Sequence, residues 1–397
     1  MHSPLPFVAA TNRLLARAWA EGWWPKPTLD PDALIAEACR REDVDAVPGR
    51  HWQEPFDLLL SDLHEHADLN PLGRQIANGQ LVTLLRMRVR AEQLLRRHRE
   101  ILERPITAPV LIIGHMRSGT TRLHRLLACD PRFARTRLFE SLEPVPRRGR
   151  LARAAGVQAF LHRANPALAA IHPSGPLQPE EEFGLHSLSF HGAQLEAQWH
   201  LPRFAANARR RGLAVPYREF ASLLRIIGWS RGESTVKPWL LKSPQFTGEL
   251  DAVLGRFPDA RLLCLSRDPV AVVGSSASLV WNQRRLHSGS ADPREVGAEW
   301  LEETLRRERR MREAFARHPL VPRLNVGFDE VSTDWQAAVR RVYAFLGLPL
   351  TGKVLGRMGR YMEGASAHRN HRYTAEQFGL SASQIVERWP DTESLAA

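Results

Sequence analysis

The sequence predicts a three-layer α/β/α fold built on a parallel sheet, with a helical extension at its N-terminus. Three observations carry that prediction. Short apolar runs at 110–113, 239–241, 261–266 and 324–328 alternate with segments whose apolar residues keep helical spacing. This βαβ alternation calls for parallel strands joined by right-handed crossovers. The run from Pro109 to Leu127 reads strand, glycine-bounded loop, helix, which is the setting of a P-loop. Residues 1–104 carry helical periodicity, so the expected organisation is an extension over 1–104 and a P-loop-type domain over 105–397.

The chain has 397 residues, 43% of them apolar, enough for a large core. Fifty-five basic residues against 43 acidic ones leave a net charge of +12. Such an excess favours anionic ligands and says nothing of fold. Cys39, Cys129 and Cys264 are scattered, so neither a disulfide framework nor a cysteine metal site is expected. No basic segment precedes an apolar one at the N-terminus, and no run of 18 apolar residues occurs. A cytoplasmic protein without a transmembrane segment is the expectation.

In order, Leu14, Leu15, Ala18 and Trp19 form a first apolar helical face, ended by Pro25 and Pro27. Asp30-Pro31 pairs an N-cap with proline at the first helical position and opens a helix to about Arg41. Residues 54–68 read as a third helix. Leu81, Leu84, Leu85, Ala91, Leu94 and Leu95 mark a longer one. Six arginines between Arg86 and Arg99 lie on its other face and read as solvated, with no nucleic-acid partner expected.

Beyond the loop helix, 136–139 reads as a second strand and 151–172 as one alanine-rich helix. The acidic cluster Glu180-Glu181-Glu182 opens the next helix, where carboxylates also suit the helix dipole. A helix over 217–229 precedes the strand that ends in Lys242, and Ser243-Pro244 restarts helix. Leu250, Val253, Leu254 and Phe257 follow at i, i+3, i+4, i+7. Arg267 stands at the end of the 261–266 strand, and Asp268-Pro269 caps a helix containing Ser275. Residues 296–317, with interleaved Glu and Arg, read as a solvent-exposed helix. The helix over 335–346 stops at Gly347.

The loop departs from that of a P-loop NTPase at one position. Where such a loop places a lysine against β- and γ-phosphates, this chain has Thr120. The nearest cation, Arg117, lies inside the loop. The pattern suits a shorter, metal-free anion at the 5′ end of a nucleotide rather than ATP or GTP. An ordinary strand-to-helix turn is the competing reading.

Gly114-His-Met-Arg-Ser-Gly-Thr-Thr121, Lys242-Ser-Pro244 and Arg267-Asp-Pro269 with Ser275 together resemble the sulfotransferases that use 3′-phosphoadenosine-5′-phosphosulfate (PAPS). The resemblance is nearest to the bacterial group with a helical N-terminal extension. It implies that Gly114, Arg117, Ser118, Gly119, Thr120 and Thr121 wrap the 5′-phosphosulfate. It assigns the 3′-phosphate to Arg267 and Ser275, although a structural ion pair is a competing role for Arg267. Arg372, in the late His371-Arg372-Tyr373 segment, joins the donor site on the same grounds. Lys242 is the implied catalytic group on the leaving-group side, and no metal is expected.

Many relatives carry a histidine shortly after the Lys-Ser/Thr-Pro motif, whereas this chain has Gln245 and Phe246. Glu181 or Glu182 is therefore the expected general base, with His115, His124 and His186 as alternatives. The expected acceptor is a hydroxyl, or less readily an amine, on a small molecule, glycan or lipid; a homo-oligomer is compatible with the sequence. The rival functions are a P-loop phosphotransferase, a polyanion-binding module and a degenerate relative that binds nucleotide without transfer.

Overall fold

A computed structural model describes residues 5–171, 173–365 and 374–390. Four strands, β1 (Val110–Ile113), β2 (Leu240–Lys242), β3 (Arg261–Ser266) and β4 (Arg323–Gly327), form one sheet. Their order is β2-β1-β3-β4, and every pair is parallel. The chain leaves β1 toward one side of the sheet and returns to its other side for β3. That switch opens a crevice beyond the carboxyl ends of the strands, where open α/β sheets bind ligands.

Both faces of the sheet are covered, which explains the continuous apolar runs. Leu111, Ile113, Leu241, Leu262 and Cys264 point to one face. There they share a core with Leu81 and Leu85 of the helix Pro71–Arg97, Phe56 of the helix Gln53–Glu65, and Phe220 and Leu224 of the helix Ala214–Ser230. Val110, Ile112, Leu240, Leu263 and Leu265 point to the other face. Helices Thr120–Leu127, Trp335–Leu346 and Gly352–Ala365 cover it. The N-terminal helices thus belong to the same hydrophobic cluster as the sheet.

The expected Asp-Pro helix starts hold as local chemistry dictates, and Asn70-Pro71 makes a third of the same kind. Asp30, Asn70 and Asp268 each accept a hydrogen bond from a backbone N–H three residues on. Asn70 also ties its helix to the end of the helix Pro269–His287, donating from its backbone to His287 at 3.0 Å. Gly73 sits against that same carbonyl, where a Cβ would come within 2.0 Å of the oxygen.

Several sequence expectations need correction. Thr136–Phe139 is not a strand: it makes a single isolated bridge, Arg137 with Pro179, and a short helix starts at Leu138. The reason is Glu140, whose carboxylate accepts the Arg137 backbone N–H at 3.0 Å and also pairs with Arg231. The helix expected over 151–172 is two helices, Arg150–Ala164 and Pro166–Ile171, because Pro166 cannot continue the first. The acidic cluster precedes its helix, which runs from Phe183 to Ser187. Ser243-Pro244 opens a short 3₁₀ turn, Pro244–Gly248, with no side-chain cap.

Two charged faces are less solvated than their composition implies. The helix Pro293–Arg317 buries Glu303, Arg307 and Glu308, whose charges meet one another or His115 and Arg312. On the helix Pro71–Arg97, Arg88 is buried in an ion pair with Glu219, while Arg86 and Arg90 both hold Glu42. Periodicity locates apolar faces, yet it cannot see a carboxylate arriving from another helix. Among the described residues, no helix is long and apolar enough to cross a membrane.

Candidate active site

The loop between β1 and the helix Thr120–Leu127 is held in one shape by its two glycines. Gly114 has φ +153° and Gly119 +91°. A Cβ at Gly114 would come within 2.8 Å of the Ser118 hydroxyl, and one at Gly119 within 2.8 Å of the Phe328 ring. Ser118 donates to the His115 carbonyl at 2.7 Å and closes the turn. Gly114 N–H donates to the Thr247 hydroxyl at 3.1 Å, which fixes the loop to the segment after β2. Arg117 also adopts a positive φ, +70°. Strain of that kind at a non-glycine residue persists only when its surroundings impose it.

The surroundings of Arg117 are the other predicted donor-site residues. Its Nε donates to the Ser275 hydroxyl at 3.1 Å, and its Nη1 to the Ile171 carbonyl at 2.8 Å. Arg267 in turn donates from Nη1 to the Arg117 carbonyl at 2.8 Å, with its guanidinium 4.0 Å from the centre of the Phe328 ring. Arg117, Arg267 and Ser275 therefore form one cluster, although they come from two strand ends and a helix. Among the described residues a carbonyl and an aromatic face, rather than a carboxylate, hold Arg267.

Lys242, at the carboxyl end of β2, is buried, and its Nζ reaches two further predicted residues. It donates to the Thr121 hydroxyl at 3.0 Å and pairs with the Glu181 carboxylate. Burial lowers the ammonium to about 7; Glu180 opposes this, and Arg125 and Arg117 reinforce it. Contact with Glu181 favours the charged form. Arg125 lies 3.7 Å from Glu180, so two cations and two carboxylates alternate beside the loop.

The two glutamates expected as bases occupy different places. Glu181 lines the cavity described below. Glu182 is fully buried behind β2, where its Oε2 accepts the Lys242 backbone N–H at 2.9 Å. Burial pushes the Glu182 carboxyl well above its ordinary range. The histidines are placed elsewhere. His115 bonds to Glu308 at 2.8 Å, and His186 stacks on Phe220 in the core. Burial drives His124 and His186 down to about 3, so neither holds a proton near neutrality. Gln245 and Phe246 are buried beneath the loop. Arg372 lies outside the described residues.

A cavity of about 2100 Å³ opens over this cluster. Arg117, Gly119, Thr120, Thr121, Glu181 and Arg267 line its inner end. A model of the sulfotransferase family matches residues 109–352, more than half of the chain and every strand of the sheet. The chain belongs to that family. Two solved structures share the fold over nearly its whole length. Sulfotransferase STF1 from Mycobacterium tuberculosis H37Rv is 24% identical, with a TM-score of 0.79, over 92% of this chain and 99% of that one. Sulfotransferase STF9 from Mycobacterium avium is 21% identical, with a TM-score of 0.78, over 91% of this chain and 95% of that one. No match was found among curated protein sequences.

The site also contains residues that the sequence pattern did not single out. Thr247 anchors the loop, and Phe328, at the end of β4, supports both Gly119 and Arg267. Arg122 lines the cavity and bonds Ser332 at 3.1 Å. The position of Phe328 at a strand's carboxyl end was the available signal, since that edge of the sheet is where the loop lies. Among the described residues, no group of His, Cys, Asp and Glu is arranged to hold a metal ion.

Proposed function

We propose that the chain transfers a sulfuryl group from PAPS to a hydroxyl of an organic acceptor. The observation that carries this reading is the convergence of Lys242, Thr121 and the Arg117–Ser275–Arg267 cluster on one glycine-shaped loop. PAPS presents two separate anions, a 5′-phosphosulfate and a 3′-phosphate. The loop amides and the helix that begins at Thr120 suit the first. Arg267 and Ser275 suit the second, because a guanidinium forks onto phosphate oxygens.

The reaction is an in-line displacement. The acceptor oxygen forms a bond to sulfur as the bond from sulfur to the bridging oxygen breaks. That oxygen leaves with the electron pair on adenosine 3′,5′-bisphosphate. Lys242 donates to the bridging oxygen, and Arg117 with the loop amides holds the equatorial oxygens. Glu181 takes the proton of the acceptor, since it lines the cavity beside Lys242 while Glu182 faces away. Donor binding draws the Lys242 ammonium toward the bridging oxygen and releases the carboxylate of Glu181 for this role.

Calorimetric titration with adenosine 3′,5′-bisphosphate, against 5′-AMP as control, tests the donor site. Binding should require the 3′-phosphate, and Arg267→Ala should weaken it by about 10- to 100-fold, the loss of a charge-assisted pair. Equal binding of AMP, or none of either, would sink the proposal.

A further inference from the structure

The cavity is larger than one ligand needs. Small-molecule sites commonly enclose about 300–1,000 Å³, and this one holds about 2100 Å³. The donor cluster occupies one end. The helix Pro269–His287 measures how far the rest extends, because Ser275 meets Arg117 near its start while Gln283 and His287 line the cavity further along. At 1.5 Å of rise per residue these lie about 12 and 18 Å beyond Ser275.

Three helices, Pro71–Arg97, Ala193–Gln198 and Pro269–His287, make one wall of this space; the helix Arg150–Ala164 also lines it, with Val157, Phe160 and Leu161, and its Arg153 is paired with Glu143. The contribution of the first three includes five glutamines, Gln75, Gln80, Gln194, Gln198 and Gln283, set among Leu84, Met87 and Leu286. No Asp, Glu, Lys or Arg from these three helices lines the cavity. Buried or half-buried arginines on two of these helices turn away from the cavity, and Glu196 of the third lines a separate small cavity with Arg306 and Arg307. Arg86 and Arg90 hold Glu42, Arg88 holds Glu219, and Arg284 holds Glu299. His287 is buried, and burial lowers it to about 3, so it is neutral.

Gln80 and Gln198 exchange hydrogen bonds at 3.2 and 2.9 Å across the seam between the N-terminal helix and the main sheet domain. Each amide in such a pair keeps one N–H and one lone pair for a ligand. An ionised group against this wall would lose hydration without gaining a countercharge. A neutral molecule with an apolar body would find both apolar contact and amide partners.

We propose that this wall is the acceptor site, that the N-terminal helix Pro71–Arg97 is the element that reads the acceptor, and that the acceptor is an uncharged, largely apolar alcohol with neutral polar groups met by the glutamines. The proposal rests on the sulfuryl-transfer reading above. It predicts discrimination against acidic analogues, even though the chain carries a net charge of +12.

The test is calorimetry on the full chain saturated with adenosine 3′,5′-bisphosphate. The probes are octyl β-D-glucoside, octyl β-D-glucuronide and glucose, kept below micelle formation. The glucoside should bind, with the glucuronide roughly ten-fold or more weaker and glucose without measurable affinity. Gln80→Glu and Gln283→Glu, on different helices, should each weaken the glucoside about five-fold or more and leave the bisphosphate affinity unchanged. Retained bisphosphate affinity also shows that a variant has folded. Tighter or equal binding of the glucuronide, no binding of the glucoside, or wild-type binding by both variants would overturn the acceptor proposal alone. Failure of the bisphosphate to bind would overturn the transferase reading on which it stands.

Discussion

At the loop end of the cavity, Arg267 holds the backbone of Arg117, Arg117 holds Ser275, and Lys242 holds Thr121 and Glu181. At the far end, amides and apolar side chains from three helices face the space, and the charges of those helices are spent on partners elsewhere. The first region is pre-organised for charge, because its cations are already oriented before any anion arrives. The second is organised by exclusion of charge. The difference teaches that chemistry and recognition occupy separate structural layers, the sheet edge and the helices laid over it.

The sharpest way to break this comparison is at Lys242. In Lys242→Met the side chain keeps its apolar length and loses its charge. Release of adenosine 3′,5′-bisphosphate from PAPS should slow by about 10²–10³-fold, the usual effect of removing one group that stabilises developing charge. The affinity of the product should change far less, because Arg267 and the loop amides remain. A variant that bound weakly but turned over at the original rate would make Lys242 a binding group only.

A finer cut separates the two glutamates. Glu181→Gln should lower kcat by about 10²-fold or more, the range of a lost general base, and Glu181→Asp should restore part of it. Glu182→Gln should keep kcat within about three-fold, because a carboxyl oxygen and an amide oxygen both accept the Lys242 N–H. Its effect should be on stability. Burial raises the Glu182 carboxyl, so the folded chain binds a proton that the unfolded chain has released, and stability falls as pH rises past the ordinary carboxyl range. Removing the group should flatten that fall in denaturation midpoints as pH rises above the ordinary carboxyl range. Equal loss of kcat in both glutamine variants would mean that neither carboxylate acts alone.

The loop end of the cavity was the more legible part of the sequence. Gly114 and Gly119 announce a loop because only glycine fits their backbone and contacts, and Lys242 and Arg267 announce a site because they follow apolar strands directly. The order of the strands and the pairing of Arg117 with Ser275 emerge only in the folded chain. The acceptor wall has no such signature. Gln80, Gln198 and Gln283 are ordinary polar residues on amphipathic helices, 118 positions apart in the case of the bonded pair. What matters is which way each helix turns, and that is decided by Glu42, Glu219 and Glu299 pulling arginines to the opposite side. The family match begins at residue 109 and so leaves out the helix that forms much of this wall. One of these long-range carboxylates, Glu219, explains why Arg88 is buried, whereas the buried Arg307 is held by Glu303 one turn away on its own helix.

The gentlest test of the comparison concerns the contact that holds the acceptor wall in place. Arg88 of the N-terminal helix makes a two-pronged pair with Glu219 at 2.9 and 3.0 Å, and also bonds the Leu188 carbonyl. Burial works against the Glu219 carboxylate, yet His51, Arg88 and Ser189 hold its carboxyl down at about 2. A carboxyl depressed in the folded state contributes stability that is present above its unfolded value and lost as pH falls through the folded one. The stability carried by this pair should therefore be intact at neutral pH and disappear between about pH 4.5 and 2, an amount of roughly 2–3 kcal/mol. Glu219→Gln should remove that acid-sensitive component in urea denaturation followed across this range. Because Glu219 lies outside the donor cluster, the same variant should bind adenosine 3′,5′-bisphosphate as before at pH 7.5, while binding of octyl β-D-glucoside weakens by a few fold as the wall loosens. Loss of both affinities together would show that the donor end depends on the N-terminal helix, and that the two ends of the cavity are one mechanical unit after all.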